Sequence, residues 1–592
     1  MILIIFLRFL FLSQTLLLRH QHQREMSQTY VSLYRQTLAL RQEKYDASLT
    51  AGEYDPFLYP WDAFFGLYAL LAIVLTPKVP ERLRGFVRYL AFTLGFIHSL
   101  YLIRHRRALG FAGGYGIGLC IAWSTIMSGA LLLCNDPGRD YWRLEAREAG
   151  CDDSTGGHDE STTMSASLST NLDMDVRQRK VPSVYTATDV KQNGLPGSHK
   201  PVSKSYKLVW QGFPYDAGWL HIIDWTVDLV TGFRGVNWNH RIATLARIDA
   251  PIPPIPTRGQ DKKTSEVYQD SKPTAILGQT LQALQRRAVQ DFLIGYLVLD
   301  LLKTSMVTDP YFFGLAELDD PSPWFWLAVL TERVPFATRF VRLGMSMAGV
   351  LAALTFIFSL SPLFFTRVLP SLVDVSKVTR SPLLEPWLYP PQLYPLTTSV
   401  LHTGLAGFWG KFWHQMFRYG ISQPSRVLIR KLDLDPSGNT ARLVQLLSAF
   451  ALSGSIHAAG SFTAFSLVKT NPLSGSLLFF LLQALGIFTQ TLVVKILHAN
   501  FALTKPLPRA VGQTTNAVVT LGFLYITGPL LANDLARSGI WLFEPVPISI
   551  LRGLGFGPGG KDEGFWTWYQ DGSTSIGWWK GTRWWETGLA AF

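Results

Sequence analysis

Apolar runs of near-spanning length recur along this chain, separated by polar connections. A helix needs about 20 mainly apolar residues to cross a bilayer. The firm runs are Phe57–Thr76, Val87–Ile103, Gly110–Cys134, Val289–Met306, Leu343–Phe365, Leu443–Leu467, Leu473–Leu497 and Thr515–Ala532. Trp219–Phe233, Trp324–Val334 and Val400–Gly407 are weaker. The pattern predicts an all-α, polytopic membrane protein with about 8–10 transmembrane helices. It has no fixed internal period, which weighs against a transporter built from repeats.

Two stretches break the pattern. From Asn135 to Ser205 the chain loses its apolar runs and reads as a polar, disordered loop, because such a composition buries too little surface to offset ordering entropy. A second polar stretch covers Thr257 to Arg287. At the N-terminus, Ile2–Leu18 has the length of a signal anchor but neither a basic lead nor a small-residue cleavage site. Met26–Asp55 after it is polar and helix-prone, and a start at Met26 would remove the apolar run.

Composition sharpens this picture. Charged residues make up 16% of the 592, against roughly 25% in soluble chains. Mean hydropathy is only +0.16, an average over apolar spans and polar segments. The net charge of +12 fits basic loops beside anionic lipid; no basic tract or zinc-finger spacing points to nucleic acid. Cys120, Cys134 and Cys151 have no metal-ligand spacing. Basic clusters flank both ends of Val87–Ile103, so charge gives that span no orientation.

Ionisable side chains at membrane depth are costly and are functional candidates. His98, His402, His414, His457 and His498 qualify by position. His98 and His498 lie near span ends and read as structural. On a helix, His457 has Ser453, Gly454, Gly460 and Ser461 at i±3 and i±4, all small. They would leave open space beside the imidazole, or they would serve close helix packing. Spacing weighs these evenly, and the intramembrane His tips the balance toward function. His414 sits in Phe408-Trp-Gly-Lys-Phe-Trp-His-Gln-Met-Phe-Arg418. A helix there would put Trp409, Trp413 and Met416 on one face and Gly410, His414 and Arg418 on another. The alternative is an interface-anchoring helix with an incidental His. Beyond it come Arg418, Arg426, Arg430 and Lys431, which suit lipid headgroups or the phosphates of a nucleotide-bearing substrate. Arg234, Trp238 and Arg241 read as part of a surface-lying helix and turn.

Three of these segments, taken together, resemble the wax synthase-like branch of the membrane-bound O-acyltransferases, especially fungal members that acetylate terpenoid and meroterpenoid alcohols. Phe408–Arg418 is similar to the Phe-Trp-Gly-x-x-Trp-His-Gln-x-Phe-Arg motif. Ser453–His457 resembles the Ser-Gly-x-x-His of the following helix, about 40 residues on. Arg234–Trp238 resembles an upstream Arg-Gly-x-Gly-Trp element, with Asn237 in place of its second Gly. Glu544–Gly555 is similar to the family's tail, and the polar insert has no counterpart.

The resemblance implies a helical bundle with a buried reaction tunnel, in which residues 206–592 form the acyltransferase core and end in an interfacial Trp-rich tail. Residues 1–56, 57–134 and 135–205 would be the N-terminal segment, the first transmembrane helices and the polar loop. It implies transfer of an acetyl group from acetyl-CoA to a hydroxyl of a hydrophobic polycyclic metabolite, at the endoplasmic reticulum, with no bound cofactor and no metal. His457 would be the base, and His414 would stabilise the oxyanion or hold the thioester. Trp409, Lys411, Trp413, Arg418 and Arg426 would bind acyl-CoA, while Ser453, Gly454, Gly460 and Ser461 would line the alcohol's path. A long-chain wax or sterol ester synthase, a transporter and a non-catalytic scaffold are the competing readings. A homo-oligomer is compatible with all of them.

Overall fold

The computed structural model describes residues 31–148, 206–245, 266–267, 280–500, 508–557, 560–568 and 576–591. The N-terminal apolar run and most of the two polar stretches therefore lie outside the described residues. Eight helices carry the scaffold: α1 (Glu81–His105), α2 (Tyr115–Leu132), α3 (Leu281–Met306), α4 (Ala337–Leu363), α5 (Arg418–Lys431), α6 (Asn439–Thr463), α7 (Leu478–Asn500) and α8 (Arg509–Arg537).

Six helical segments among the described residues are long and apolar enough to cross a membrane: Glu81–His105, Tyr115–Leu132, Ala337–Leu372, Asn439–Thr463, Pro472–Leu497 and Arg509–Arg537. Their outer faces stay uncovered. Phe86, Ile97, Val518 and Ile526 are each more than half exposed, as lipid-facing residues are and the core of a water-soluble bundle is not. Two expected spans fall short. Phe57–Thr76 is split by a tight 3-10 turn, Trp61–Gly66, which leaves only Leu67–Val74 as α-helix. Within α3 the apolar face is interrupted by Asp291, Asp300 and Lys303. Asp300 and Lys303 are buried and turn to the C-terminal segment: Lys303 Nζ donates to the Trp541 carbonyl at 2.6 Å, and Asp300 accepts the Leu551 N–H at 3.0 Å.

Small sheets supplement the helices. β1 (Arg143–Glu148) pairs antiparallel with β2 (Tyr206–Gln211), and β2 with β3 (Glu266–Val267). The expected disordered loop thus begins with an ordered strand. Arg143 is fully buried there and ion-pairs with Glu145 and Asp224, both at 2.6 Å. Burial alone would raise the Glu145 carboxyl, but the His221 hydrogen bond and the Arg143 charge hold it below the usual range. Arg143 bridges to Trp238, and Gly235 turns the chain into Trp238 with φ +58°. The Arg-Gly-Val-Asn-Trp element is therefore buried structure, where a surface helix and turn were expected. In place of the missing Gly, Asn237 uses its side chain to donate to Asp228 at 3.1 Å.

α6 is the central element. It packs against α2, α5 and α7 and against a wide π-helical turn, Pro472–Leu477, that opens α7.

Candidate active site

The segment carrying His414 is not the continuous helix that its spacing suggests. Leu396–Gly407 breaks at Gly404, whose φ of +60° and ψ of −138° are accessible to glycine alone. The Gln490 side chain of α7 fills the break and accepts the Leu405 N–H at 3.1 Å. A Cβ at Gly404 would meet Gln490 Nε2 at 2.2 Å. Freed backbone groups at membrane depth need such partners. A π-helical turn, Phe408–Phe412, follows, and the chain leaves the helix at Trp413. Arg418 then reaches back to the Gly410 carbonyl at 3.1 Å and to Gln415 at 2.8 Å, closing a compact loop around His414.

His414 is buried beside Trp413 and Phe417. Burial first, then the nearby His457 and Arg234, push its imidazole down to about 3, so it is neutral at physiological pH. Its Nδ1 is buried without a partner. His457 is half-buried on α6. Phe480 stacks on the His457 ring with centroids 4.7 Å apart, and Tyr115 Oη meets its Nδ1 at 3.1 Å. An aromatic wall runs between the two expected histidines: Trp413 beside His414 packs on Trp409, and Trp409 packs on Phe480, which covers His457.

The other expected residues divide. Trp409 packs on Phe480 and Phe479 and donates to Gln483 at 3.2 Å, so it backs the ring that covers His457. Trp413 belongs to the same aromatic wall through Phe408 and Trp409. Lys411 is exposed and is not in the lining of the basic cavity described below. Where open space beside His457 was expected, neighbouring elements fill in. A Cβ at Gly454 would strike Leu477 at 2.8 Å, and one at Gly460 would strike Tyr115 at 2.8 Å. Ser461 is fully buried and donates to Asp534 at 2.9 Å. These three serve close packing and hydrogen bonding, and Ser453 is half-buried.

Arg418 and Arg426 meet in a cavity of about 880 Å³ beside α5. Arg241, Arg430, Arg442 and Lys495 line it too, with Asp140 as the one acidic side chain in the lining. Burial, then Arg426, lowers the Arg418 guanidinium, and burial pulls Arg241 down to about 10. Arg241 has two buried nitrogens without partners. His240 packs on Tyr419 in the same wall, the rings tilted by 46° with centroids 4.3 Å apart, and burial pushes the imidazole down to about 3. An anion would relieve this concentration of positive charge. His414 and His457 lie outside this lining. Arg418, four residues beyond His414, lines the cavity and also closes the loop around His414, which links the two regions. Sequence reasoning missed His240, Arg241, Arg442, Lys495 and Tyr115. They come from four distant segments, and the spacing of a loop or span does not reveal which end faces a shared cavity. Among the described residues, no group of three or more His, Cys, Asp or Glu is placed to hold a metal ion.

Comparison with known proteins places this geometry. Residues 389–482, which hold His414, Arg418, Arg426 and His457, match the Membrane bound O-acyl transferase family. The chain is 32% identical over 172 residues to Acetyltransferase ataH of Aspergillus terreus, covering 28% of this chain and 53% of that protein. It is 38% identical over 151 residues to Acetyltransferase eriL of Hericium erinaceus, covering 25% and 37%. It is 50% identical over 56 residues to Acetyltransferase ple2 of Rhodocybe pseudopiperita, covering 9% and 15%. These alignments span between about a seventh and about half the length of the relatives. No solved structure matches the chain. The resemblance read from the motifs is borne out: the chain is related to the membrane-bound O-acyltransferases and to fungal acetyltransferases, and it is a multi-pass integral membrane protein.

Proposed function

We propose that this relative of the membrane-bound O-acyltransferases transfers the acetyl group of acetyl-CoA to a hydroxyl of a hydrophobic polycyclic metabolite, a terpenoid or meroterpenoid alcohol, as a tailoring step at the endoplasmic reticulum. The observation that carries the reading is that the matched segment 389–482 holds both His414 and His457 together with Arg418, Arg426, Arg430 and Arg442, four of the six cations lining the cavity.

The chemistry divides between these parts. The cavity receives the phosphates of CoA through Arg418, Arg426 and Arg430, and the long pantetheine arm carries the thioester past Arg418 toward His414. An alcohol is a weak nucleophile while protonated, and an imidazole can take its proton as the oxygen attacks. His457 fills that role. Attack builds negative charge on the thioester oxygen, and His414 supplies an N–H donor there as a neutral imidazole. The C–O bond forms, the C–S bond breaks, and the departing thiolate recovers the proton from His457. No acyl-enzyme is needed. Trp409 and Phe480 wall the centre with aromatic surface, which limits thioester hydrolysis.

Membranes carrying the protein, supplied with labelled acetyl-CoA or palmitoyl-CoA and a panel of polycyclic and linear alcohols, test the reading. Acetyl esters of polycyclic alcohols are expected. Long-chain esters alone would replace it with a wax or sterol ester synthase, and no ester from either donor would remove the enzymatic reading.

A further inference from the structure

An antiparallel sheet with one covered face normally alternates, apolar toward the protein and polar toward water. One three-stranded sheet in this protein does not. Gly588–Ala591 runs between Leu58–Tyr59 and Ile576–Trp579, antiparallel to both. Its inner face carries Leu58 and Ala590, directly opposite each other and 1% and 0% exposed. Its outer face carries Tyr59, Leu589 and Trp578 in one cross-strand row, with Ile576 two residues from Trp578. All four are exposed, Trp578 to 68%. The connection between the last two strands adds the exposed Trp584 and Trp585. An uncovered apolar face of this kind needs an occupant.

The occupant follows from what the face adjoins. Trp61 Nε1 donates to the Thr587 carbonyl at 2.8 Å. The Trp61 ring meets Trp584 edge-on, with centroids 5.0 Å apart, and meets Phe64 at 6.2 Å. Phe64 begins a stripe of exposed apolar residues, with Leu67, Leu71 and Leu75, at helical spacing. Leu67–Val74 packs beside α1, whose Phe86 and Ile97 also face outward. The aromatic face therefore continues the surface that the helices turn to lipid.

Its level is set by α1. Near the start of that helix Arg88 pairs with Asp136 at 2.9 Å, beside Cys134 and Asn135 in the lining of the basic cavity. Just past the other end Arg106 pairs with Asp55 at 3.3 Å, and three residues after Asp55 the chain enters the sheet at Leu58. From Arg88 to His105 the helix rises about 25 Å, close to the ~30 Å of a hydrocarbon core. The cavity and the sheet thus stand at opposite ends of the bundle. At such a level Trp and Tyr rings sit among lipid headgroups. Lys580 and Arg583, exposed beside the tryptophans, are placed to meet lipid phosphates.

We propose that this aromatic face is a bilayer-docking surface, seated in the headgroup layer of the leaflet opposite the one beside the basic cavity. Its partner is phospholipid. The inference concerns a second interface of the protein and does not depend on the reaction.

The test uses the full chain with Cys120, Cys134 and Cys151 replaced by Ser and one cysteine added. Trp578→Cys and Trp584→Cys are each labelled with an NBD fluorophore, and the purified proteins are reconstituted into phosphatidylcholine vesicles. Lipids carrying a nitroxide at the headgroup or high on the chain are expected to quench each label by about half or more, and aqueous iodide by about a tenth or less, as at an interface. Labels that iodide quenches and nitroxide lipids do not would overturn the proposal. So would labels that are shielded only when protein is crowded in the vesicles, since a second copy would then be the occupant. Where a tryptophan variant does not fold, the same label on Lys580→Cys is read in its place. Sidedness is measured in sealed microsomes with a membrane-impermeant maleimide. Ser437→Cys, just before α6 at the cavity end, and Lys580→Cys are expected to need opposite conditions, one reacting in sealed vesicles and the other only after permeabilisation. Reaction of both from the same side would overturn the placement on the opposite leaflet.

Discussion

The histidine centre and the basic cavity are neighbours built on opposite principles. Around His457 and His414 the lining is aromatic, and selectivity rests on the direction of a few hydrogen bonds. Around Arg418 and Arg426 six cations face one carboxylate, and selectivity rests on charge. Geometry-controlled sites fail sharply when one atom is removed, while charge-controlled sites weaken by degrees and respond to salt. The contrast suits a co-substrate that is anionic at one end and reactive at the other.

The largest expected effect separates the regions most clearly. His457→Ala should reduce ester formation at least about 100-fold, the usual share of a general base, with binding of labelled CoA to the purified protein retained. Loss of both together would break the contrast. The next change touches the backbone that connects the regions. Gly404→Ala forces a side chain into a glycine-only conformation and into Gln490. It should cost about 1–3 kcal/mol of stability, seen as a lower thermal midpoint in detergent, and should lower both activity and CoA binding. The smallest effects belong to the cavity. Arg426→Gln and Arg430→Gln should each raise KM for acetyl-CoA about 3- to 10-fold with kcat within twofold. The same KM should climb as NaCl is raised from about 0.05 to 0.3 M. A fall in kcat of the same size would move those arginines into the chemistry.

Legibility in the sequence followed the range of the interactions. The long helices are written locally, as runs of apolar residues, and six of the eight firm runs fall on candidate spans. His414, His457, Arg418 and Arg426 stand in short motifs and were found. The break at Gly404 was not, because Phe408–Arg418 keeps helical spacing in its side chains although its backbone turns twice. Tyr115 carries no local mark at all, and what brings its hydroxyl to His457 is the packing of α2 against α6. The small residues around His457 misled for a related reason. Gly and Ser signal that something comes close, and Leu477 and Tyr115 come close as readily as a substrate does.

The pairing of β1 with β2 has a consequence for how this protein can change. Glu148 and Tyr206 are directly opposite each other in the ladder, so the two points that flank residues 149–205 are adjacent. A segment tethered that way can lengthen, shorten or diverge at little thermodynamic penalty, since closing a longer loop adds only slowly to its entropy. For genome comparison, this stretch is where related chains should differ most in length while keeping the register on either side. For anyone preparing the protein, joining 148 to 206 through a short turn is the natural place to trim it.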